Sequence, residues 1–396
     1  MTKLTDKTIF TAELADNDFV HGVDVSDTSQ DVAGSSYKVP IYKIRQIRVT
    51  RTVFVDYAYG TTAANGALVE RMDRPFNTKA EALAKAKLLL SPTSTDRVLI
   101  SVAMGFSSQP IVYLSNTDGV DWDLNGGSIN TIGVNGAIDD GGFNVDTVIY
   151  NANKITSSAF GVFQTGSGSN TTINAKRIKS VFCTGGTQII NSTIENTDEL
   201  ASNEANGSCT QTVNGDIILN VTTNLGFGFT VNSCGTNSYQ KINGDIIVNS
   251  IGGGAGGSFI NRCFDGIQII NGNQYFTGAI TKLSGSSIEG NGSSTIDGDI
   301  ICSSFAGSVA LANDSGTGTV TIKSGSRLKS GAANAITKTS GILILQGGVS
   351  LISTTNSIAG TAGQKVKVHG TVVEKYAPSL VGVYEIGTVI TNVLVN

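Results

Sequence analysis

Seven charged residues in the central part of the chain are of the types that polysaccharide-cleaving chemistry requires. Hydrolysis of a glycosidic bond uses two carboxylates about 5 to 9 Å apart, and elimination uses a base such as arginine or lysine beside carboxylate-held calcium. The candidate carboxylates are Glu195, Glu204, Asp265, Glu289 and Asp314. The candidate bases are Lys179 and Arg262. Their spacing singles out no pair, so catalysis is kept as an alternative and no catalytic residue is assigned.

Cysteine and histidine residues give no sign of a metal or redox centre. The five cysteines include no Cys-x-x-Cys pair, which predicts neither a disulfide framework nor a zinc site. Four of them recur at intervals of 26, 25 and 29 residues: Cys183, Cys209, Cys234 and Cys263. This spacing favours an interior column of small buried thiols over a metal or redox cluster, which would need tighter convergence. Because His21 and His369 lie at opposite ends of the chain, we expect no histidine-based pair, no metal and no cofactor.

The elements that position these side chains are short strands that repeat along the chain. The clearest repeat contains Gly-Asp-Ile-Ile and occurs at residues 213–220, 242–249 and 296–303. Shorter copies, Gln-Ile-Ile-Asn, occur at residues 188–191 and 268–271, and successive Ile-Ile pairs are 28, 29, 23 and 31 residues apart. Self-similarity at a period of about 20 to 50 residues indicates a repeat architecture.

The composition supports an all-β chain. There are 48 glycines against 5 prolines among 396 residues, and charged residues make up only 15%. The glycines keep no period of three, which excludes collagen, and abundant isoleucine and valine argue against disorder. β-Branched residues separated by Gly and Asn predict many short strands joined by turns.

Repeats and composition together predict a right-handed parallel β-helix, a solenoid in which each coil pairs with its neighbours at about 4.8 Å. Ile217, Ile246 and Ile300 are expected to point inward, one above another, as one continuous column. At roughly 25 residues per coil, residues 120–365 would make about ten coils and a body on the order of 50 Å long.

The same repeat predicts the corners between strands. The Asn-Gly and Asp-Gly pairs are expected to supply left-handed corner residues. Asp216, Asp245 and Asp299 recur at equivalent corners, so we interpret them as turn formers and not as catalysts. A side-chain amide ladder is expected from three residues that each follow a strand: Asn220, Asn249 and Asn271.

Four segments are predicted, an extended N-terminal anchoring arm, a helix-capped transition, the β-helix and a C-terminal β cap: residues 1–52, 53–120, 121–365 and 366–396. The short capping helix is predicted for Ala80 to Leu90. It begins with a capping box formed by Thr78 and Glu81, and it ends before Pro92.

Three stretches resemble bacteriophage tail-fibre and tailspike proteins. Residues 14–39, which begin Leu-Ala-Asp-Asn-Asp-Phe-Val, resemble an N-terminal module that anchors such fibres to the particle. Residues 75–127 resemble the opening of a pectate-lyase-like β-helix, and residues 366–372 are similar to its closing strands. The resemblance implies a homotrimer in the virion. It also implies contact with virion tail or capsid proteins through residues 1–50, and with a glycan or protein of the host surface.

Charge and hydropathy limit the partners. The net charge of −4 and the lack of a long Lys/Arg run predict no nucleic-acid binding, and no apolar run approaches the roughly 20 residues of a membrane span. The first hypothesis is a virion structural protein made in the host cytoplasm, a trimeric tail or head fibre that is both rigid stalk and receptor-binding body. The alternatives are a tailspike enzyme that depolymerises capsule or lipopolysaccharide, and a bacterial surface adhesin.

Overall fold

A computed structural model describes most of the chain: residues 19–24, 35–40, 51–90, 97–132, 135–196, 202–221, 230–250, 255–278, 281–303, 309–331, 334–353, 358–360, 366–369, 371–375 and 389–392. The described helices are α1 (Lys79–Leu89) and a 3-10 turn at Ala63–Asn65. The first strands are β1 (Phe19–Asp24), β2 (Ser35–Pro40), β3 (Arg51–Val55), β4 (Val98–Val102), β5 (Phe106–Ser107), β6 (Ile111–Val112), β7 (Thr117–Asp118), β8 (Val120–Asp123), β9 (Ser128–Thr131), β10 (Gly136–Asp139) and β11 (Val145–Ser157). The central strands are β12 (Phe160–Gln164), β13 (Asn170–Ile178), β14 (Val181–Asn196), β15 (Asn203–Val213), β16 (Ile217–Val221), β17 (Asn232–Cys234), β18 (Tyr239–Ile242), β19 (Ile246–Ser250), β20 (Ala255–Phe264), β21 (Ile267–Asn271) and β22 (Gln274–Gly278). The last strands are β23 (Thr281–Glu289), β24 (Ser293–Asp297), β25 (Ile300–Ser303), β26 (Val309–Ile322), β27 (Arg327–Ser330), β28 (Ile336–Gln346), β29 (Ser350–Ile352), β30 (Ile358–Gly360), β31 (Val366–His369), β32 (Thr371–Lys375) and β33 (Val389–Asn392).

The strands β3 to β33 belong to one sheet that is wound into a solenoid, and its described pairings are parallel. Parallel neighbours need a crossover connection, and here the remainder of each coil supplies it. Each coil contributes three stretches of strand, which stack on those of the next coil as three faces. The predicted all-β parallel solenoid is confirmed.

The first face carries an uninterrupted apolar column. Its inward residues pair rung by rung, and all but the last are buried. In order they are Val53, Ile100, Trp122, Ile149, Ile173, Ile190, Val213, Ile242, Ile270, Ile296, Ile322, Leu345 and Val368. Ten of these rungs run from Trp122 to Leu345 inclusive and enclose nine turns, close to the expected number of about ten coils.

The second face contains the predicted isoleucine column. Ile217 pairs with Ile246, and buried Gln274 then separates Ile246 from Ile300. The three isoleucines therefore lie one above another, as predicted. The Gln-Ile-Ile-Asn segments are not copies of this strand, because their inward isoleucine, for example Ile270, belongs to the first face.

The third face changes from aliphatic to amide residues in its middle coils. Its inward column is Ile111, Ile138, Val162, Val181, Asn203, Asn232, Asn261, Ser286, Leu311, Ile336 and Ile358. A second inward column on the first face holds Gln188, Gln211, Gln240 and Gln268 at these levels. We call these buried asparagines and glutamines the interior amide network.

Hydrogen bonds close the interior amide network in two directions. Along the axis, Gln240 Nε2 donates to Gln211 Oε1 at 2.9 Å, and Gln268 Nε2 donates to Gln240 Oε1 at 2.8 Å. Across the core, Asn232 Nδ2 donates to Gln240 Oε1 at 2.9 Å, and Asn261 Nδ2 donates to Gln268 Oε1 at 2.8 Å. These hydrogen bonds offset the free energy of desolvation of the buried amides, so a polar core is stable here.

The cysteines form the expected interior column only in part. The residues that pair on successive rungs are Cys183, Ala205, Cys234 and Cys263. Cys209 pairs with Gly186 instead, so it lies beside the column and donates to the Cys183 carbonyl at 3.3 Å. All five cysteines are free and buried, and burial raises the pKa of the Cys302 thiol to about 12. They are packing residues.

The glycines of the repeat allow close approach between coils. A Cβ on Gly244 would lie 2.3 Å from the carbonyl oxygen of Gly215, and one on Gly272 would lie 2.1 Å from that of Gly244. These three glycines are not among the described residues with positive φ. The expectation of left-handed residues is therefore wrong at these three corners, where glycine is needed because the stacked backbones leave no room for a side chain. Gly298, at the next corner, does have a positive φ of +154°.

The corner aspartates are turn formers, as predicted. Asp216 Oδ1 accepts the Asp245 N–H at 2.9 Å, one coil further on. Asp299 Oδ1 likewise accepts the Arg327 N–H at 2.8 Å. Each carboxylate therefore satisfies a backbone donor that a corner would otherwise leave without a ladder partner.

Two asparagine ladders follow the outer edges of the coils. Asn249 Nδ2 donates to Asn220 Oδ1 at 3.0 Å, which confirms that part of the predicted ladder. Asn271 was expected in the same ladder but donates to Asn243 Oδ1 at 2.8 Å, because it follows a first-face strand. This second ladder continues through Asn214, Asn191 and Asn174.

Helix α1 begins at the predicted cap and packs against β3 and β4 through residues such as Leu83. Thr78 Oγ1 accepts the Glu81 N–H at 3.2 Å. Glu81 does not complete the predicted capping box, because its Oε1 accepts the Ala63 N–H at 2.8 Å and ties the helix to the 3-10 turn. The predicted stop at Pro92 lies outside the described residues.

The two ends of the chain are described only in part. Strands β1 and β2 pair antiparallel as a separate sheet. Of the rest of the predicted arm, residues 1–52, the structure describes only Arg51 and Thr52, which belong to β3 of the solenoid. The parallel stack begins at β3, so segment 53–120 shares one sheet with the body. Strands β31, β32 and β33 continue the parallel pairing, and the remainder of the predicted cap is not described. Neither helix in the described part has the length and hydropathy to cross a membrane.

Candidate functional site

A concave site with several charged side chains lies on the outside of the second face. We call it the basic groove, and it encloses about 320 Å³. The residues that define it are Asn130, Lys154, Thr156, Arg177, Lys179 and Glu195. Two of the sequence candidates, Lys179 and Glu195, therefore lie in one site.

The register of the coils positions these side chains. Lys154 pairs with Arg177 of the next coil, so both side chains leave the same outer column, on rungs about 4.8 Å apart. Arg177 Nη1 lies 3.1 Å from Glu195 Oε2. Lys179 Nζ donates to the Ser157 carbonyl at 3.2 Å. The described residues of the groove thus include three cations and one carboxylate.

A second charged cluster lies on the outside of the third face. Arg262 donates from Nε and Nη2 to Glu289 Oε2 at 3.1 and 2.7 Å, and its guanidinium lies 5.1 Å from the centroid of the Phe264 ring. Ser287 Oγ donates to the other oxygen of Glu289 at 2.9 Å. Both carboxylate oxygens of Glu289 are therefore engaged, which suits an ion pair that fastens neighbouring coils.

The two remaining candidates whose side chains are described, Asp265 and Glu204, do not complete a catalytic pair in this cluster. Asp265 has φ of 55°, and its Oδ1 accepts the Asn291 N–H at 2.5 Å, as a turn residue does. Glu204 lies two rungs from Arg262 in the same outer column, and burial raises its pKa. Asp314 pairs with Glu289 through the backbone, but its side chain is outside the described part.

The pairing of Lys154 with Arg177 was not predicted from the sequence. These residues are 23 positions apart, and only the winding of the chain brings them together. A signal was available, because each precedes an inward isoleucine, Ile155 and Ile178, in a similar local sequence. This similarity covers only a few residues, and it identifies a shared outer column only once the number of residues in this coil is known.

An aromatic cluster was also missed. Phe163 and Phe182 stack with centroids 4.8 Å apart and planes 7° apart, and Phe160 lies 5.1 Å from Phe182. The coil is short here, because Phe163 and Phe182 are 19 positions apart, so an average period of 25 does not align them. The cluster is half-buried on the outer side of the third face.

Comparisons with known proteins leave the fold as the defining feature. The chain matches no protein-family model, no curated protein and no solved structure. Among the residues that the structure describes, no three His, Cys, Asp or Glu side chains are grouped so that they could hold a metal ion. The class that the coordinates define is a parallel β-solenoid with charged clusters on its outer faces.

Proposed function

We propose that this chain is a structural protein of a bacteriophage virion, a trimeric tail or head fibre that serves as a rigid stalk and binds the host surface. The observation that carries the proposal is the first-face column, which runs without interruption from Val53 to Val368. Each coil contacts its neighbours through the same kind of buried residue and a parallel ladder, so the body resists bending at every level. Such a rod suits a protein that holds a binding surface away from a particle.

Exposed apolar side chains near the N-terminal end of the rod support association there. Among the described residues, the most exposed large apolar side chains include five with 87, 77, 77, 78 and 87% exposure: Tyr59, Met72, Met104, Leu114 and Ile132. Of these, Met72 and Met104 line one surface pocket, and contiguous apolar patches are typical of association surfaces. They favour contact with sister chains or virion proteins at this end.

Residues 1–50 are proposed as the virion anchor, because residues 14–39 resemble the anchoring module of phage fibres. Deleting residues 1–50 should abolish incorporation into particles and leave the circular-dichroism spectrum of the solenoid unchanged, since the first rung begins at Arg51. Immunoblots of purified particles measure incorporation. Incorporation of the shortened chain at the full-length level would contradict the anchor, and absence of the full-length chain from particles would contradict the virion role.

A glycan depolymerase is the second candidate, favoured by the basic groove, where Glu195 and Lys179 line one cavity. Incubation of the full-length chain with host capsule or lipopolysaccharide tests it. Release of oligosaccharides that Glu195→Gln abolishes would replace the structural proposal by the enzymatic one. Intact polysaccharide after incubation with both proteins is the result that the structural proposal predicts.

A further inference from the structure

We propose that the basic groove binds the anionic group, carboxylate or phosphate, of an acidic sugar in a surface glycan. The inference rests on the proposed role in host attachment and names the ligand class for that role. The positive charge comes from Lys154, Arg177 and Lys179. Hydrogen-bonding groups for sugar hydroxyls come from Asn130 and Thr156, whose side chains already bond to each other at 3.1 Å.

Among the described residues of the groove, the cations outnumber the one carboxylate, and Lys154 carries the surplus charge. Glu195 is engaged with Arg177, and Lys179 donates to a backbone carbonyl. Lys154 is exposed and makes no hydrogen bond or ion pair with any residue that the structure describes. In a chain whose net charge is −4, this local surplus attracts anions at one place on the rod.

The stacking of two coils brings two kinds of cation to one ligand. Lys154 supplies a compact ammonium, and Arg177 supplies a planar guanidinium that can donate two parallel hydrogen bonds to a carboxylate or phosphate. Glu195 contacts Arg177 through Nη1, and the 62% exposed arginine side chain presents the rest of its donors to solvent. One anionic group between the two rungs can therefore contact both cations.

The size and lining of the groove favour a sugar over a nucleic acid. Its volume of about 320 Å³ lies at the lower end of the roughly 300 to 1,000 Å³ typical of small-molecule sites. Single-stranded nucleic acids bind by stacking bases on aromatic side chains, and no aromatic residue is among the described residues that line the groove. The hydroxyl and amide groups beside the cations match the donors and acceptors of a sugar ring.

Isothermal titration calorimetry on the full-length chain tests the inference with four probes at low salt. Tetragalacturonate carries carboxylates, a phosphorylated mannose oligomer carries phosphates, maltotetraose is uncharged, and a tetrathymidine oligonucleotide carries phosphates without a pyranose ring. We expect at least one acidic oligosaccharide to bind about tenfold more tightly than maltotetraose. Its affinity should fall as salt is added.

Two substitutions and a matched control assign binding to the groove. Lys154→Glu should weaken binding of the acidic oligosaccharide about tenfold. Lys329→Glu makes the same charge change on an exposed outer position of the second face in a C-terminal coil, and should leave binding unchanged. Glu195→Gln should strengthen binding about threefold, because it removes the carboxylate that competes for Arg177. Circular dichroism checks that each variant is folded.

The outcomes separate this inference from the virion proposal. Equal affinity for the acidic and neutral oligosaccharides, or equal loss in Lys154→Glu and Lys329→Glu, would overturn the inference and leave particle incorporation unaffected. Tighter binding of the oligonucleotide than of either acidic oligosaccharide would also overturn it. Selective binding by a chain that is absent from particles would support the groove and remove the virion role alone.

Discussion

At the scale of single residues, buried amides distinguish the middle coils from the rest of the rod. In the third-face column, Asn203, Asn232 and Asn261 lie where most other coils have aliphatic residues, and the glutamine column from Gln188 to Gln268 lies beside them in the core. Aliphatic side chains pack against many partners, whereas a buried amide is satisfied only when its partner on the next rung is aligned. The interior amide network therefore favours one register of the coils.

We predict that Gln240→Ala lowers the free energy of unfolding by about 2 to 4 kcal/mol. The substitution removes one of the two hydrogen bonds made by each of three buried groups: Gln211 Oε1, Gln268 Nε2 and Asn232 Nδ2. Asn243→Ala in the exposed asparagine ladder is the matched control, and should cost about 1 kcal/mol or less because water can replace the lost amide. Urea unfolding followed by circular dichroism measures both. An equal loss of free energy of unfolding in the two variants would contradict an interior amide network that is shielded from water.

Gly244→Ala should destabilise the solenoid by about 3 kcal/mol or more, because its methyl group would overlap the carbonyl of Gly215 on the coil below. Lys241→Ala, on the outer side of the preceding strand, should change the free energy of unfolding by no more than about 0.5 kcal/mol. Thermal unfolding of the two variants gives the comparison. A Gly244→Ala protein as stable as the wild type would show that the coils are not stacked this closely.

At the scale of elements, a buried lysine attaches helix α1 to the first coils. Lys79 Nζ donates to the Gln109 carbonyl at 2.6 Å and to Ser107 Oγ at 3.2 Å. It lies 5.7 Å from the centroid of the Tyr57 ring. Burial lowers the pKa of Lys79 to about 7. The contact between helix and solenoid is therefore sensitive to pH.

We expect the wild-type free energy of unfolding to rise between pH 7 and about 9.5, relative to Lys79→Met. In this range the unfolded lysine, with an ordinary pKa of about 10.4, holds a proton that the folded one has lost, so stability increases with pH. Below pH 7 the buried lysine must carry a proton in the folded state, which destabilises the fold by at most about 5 kcal/mol. Urea unfolding at several pH values measures it. A pH-independent difference between the two proteins would contradict a buried neutral lysine.

The sequence predicts that these segments are strands, but it does not predict the face of the solenoid to which each strand belongs. The inward side chain of every coil must be apolar or hydrogen-bonded, so Ile217 and the equivalent isoleucines recur at a regular spacing in the sequence. The Ile-Ile pair does not identify the face, because the first isoleucine is inward at Ile217 and the second is inward at Ile270. Choosing between them requires the register of neighbouring coils, which the period does not contain.

At the scale of the whole molecule, the rod could be predicted but its surface sites could not. The inward column can be predicted from the average coil length alone, whereas the basic groove depends on the exact number of residues in the coil that forms it. Lys154 and Arg177 share an outer column because the coil between them has 23 residues.

The most direct test of the account measures the length of the rod between labelled sites on one face. Thr172 and Lys367 lie eight rungs apart in one outer column of the first face, and Lys241 and Lys367 lie five rungs apart. Spin labels on introduced cysteines at these positions should report backbone separations of about 38 and 24 Å by double electron–electron resonance. The chain without introduced cysteines is the control, since its five native cysteines are buried.

A stacked solenoid should give two narrow distance distributions whose means differ by about three rungs, or roughly 14 Å. Broad distributions, or two means that do not scale with the number of rungs, would contradict a stacked solenoid and with it the stalk, the groove and the proposed function.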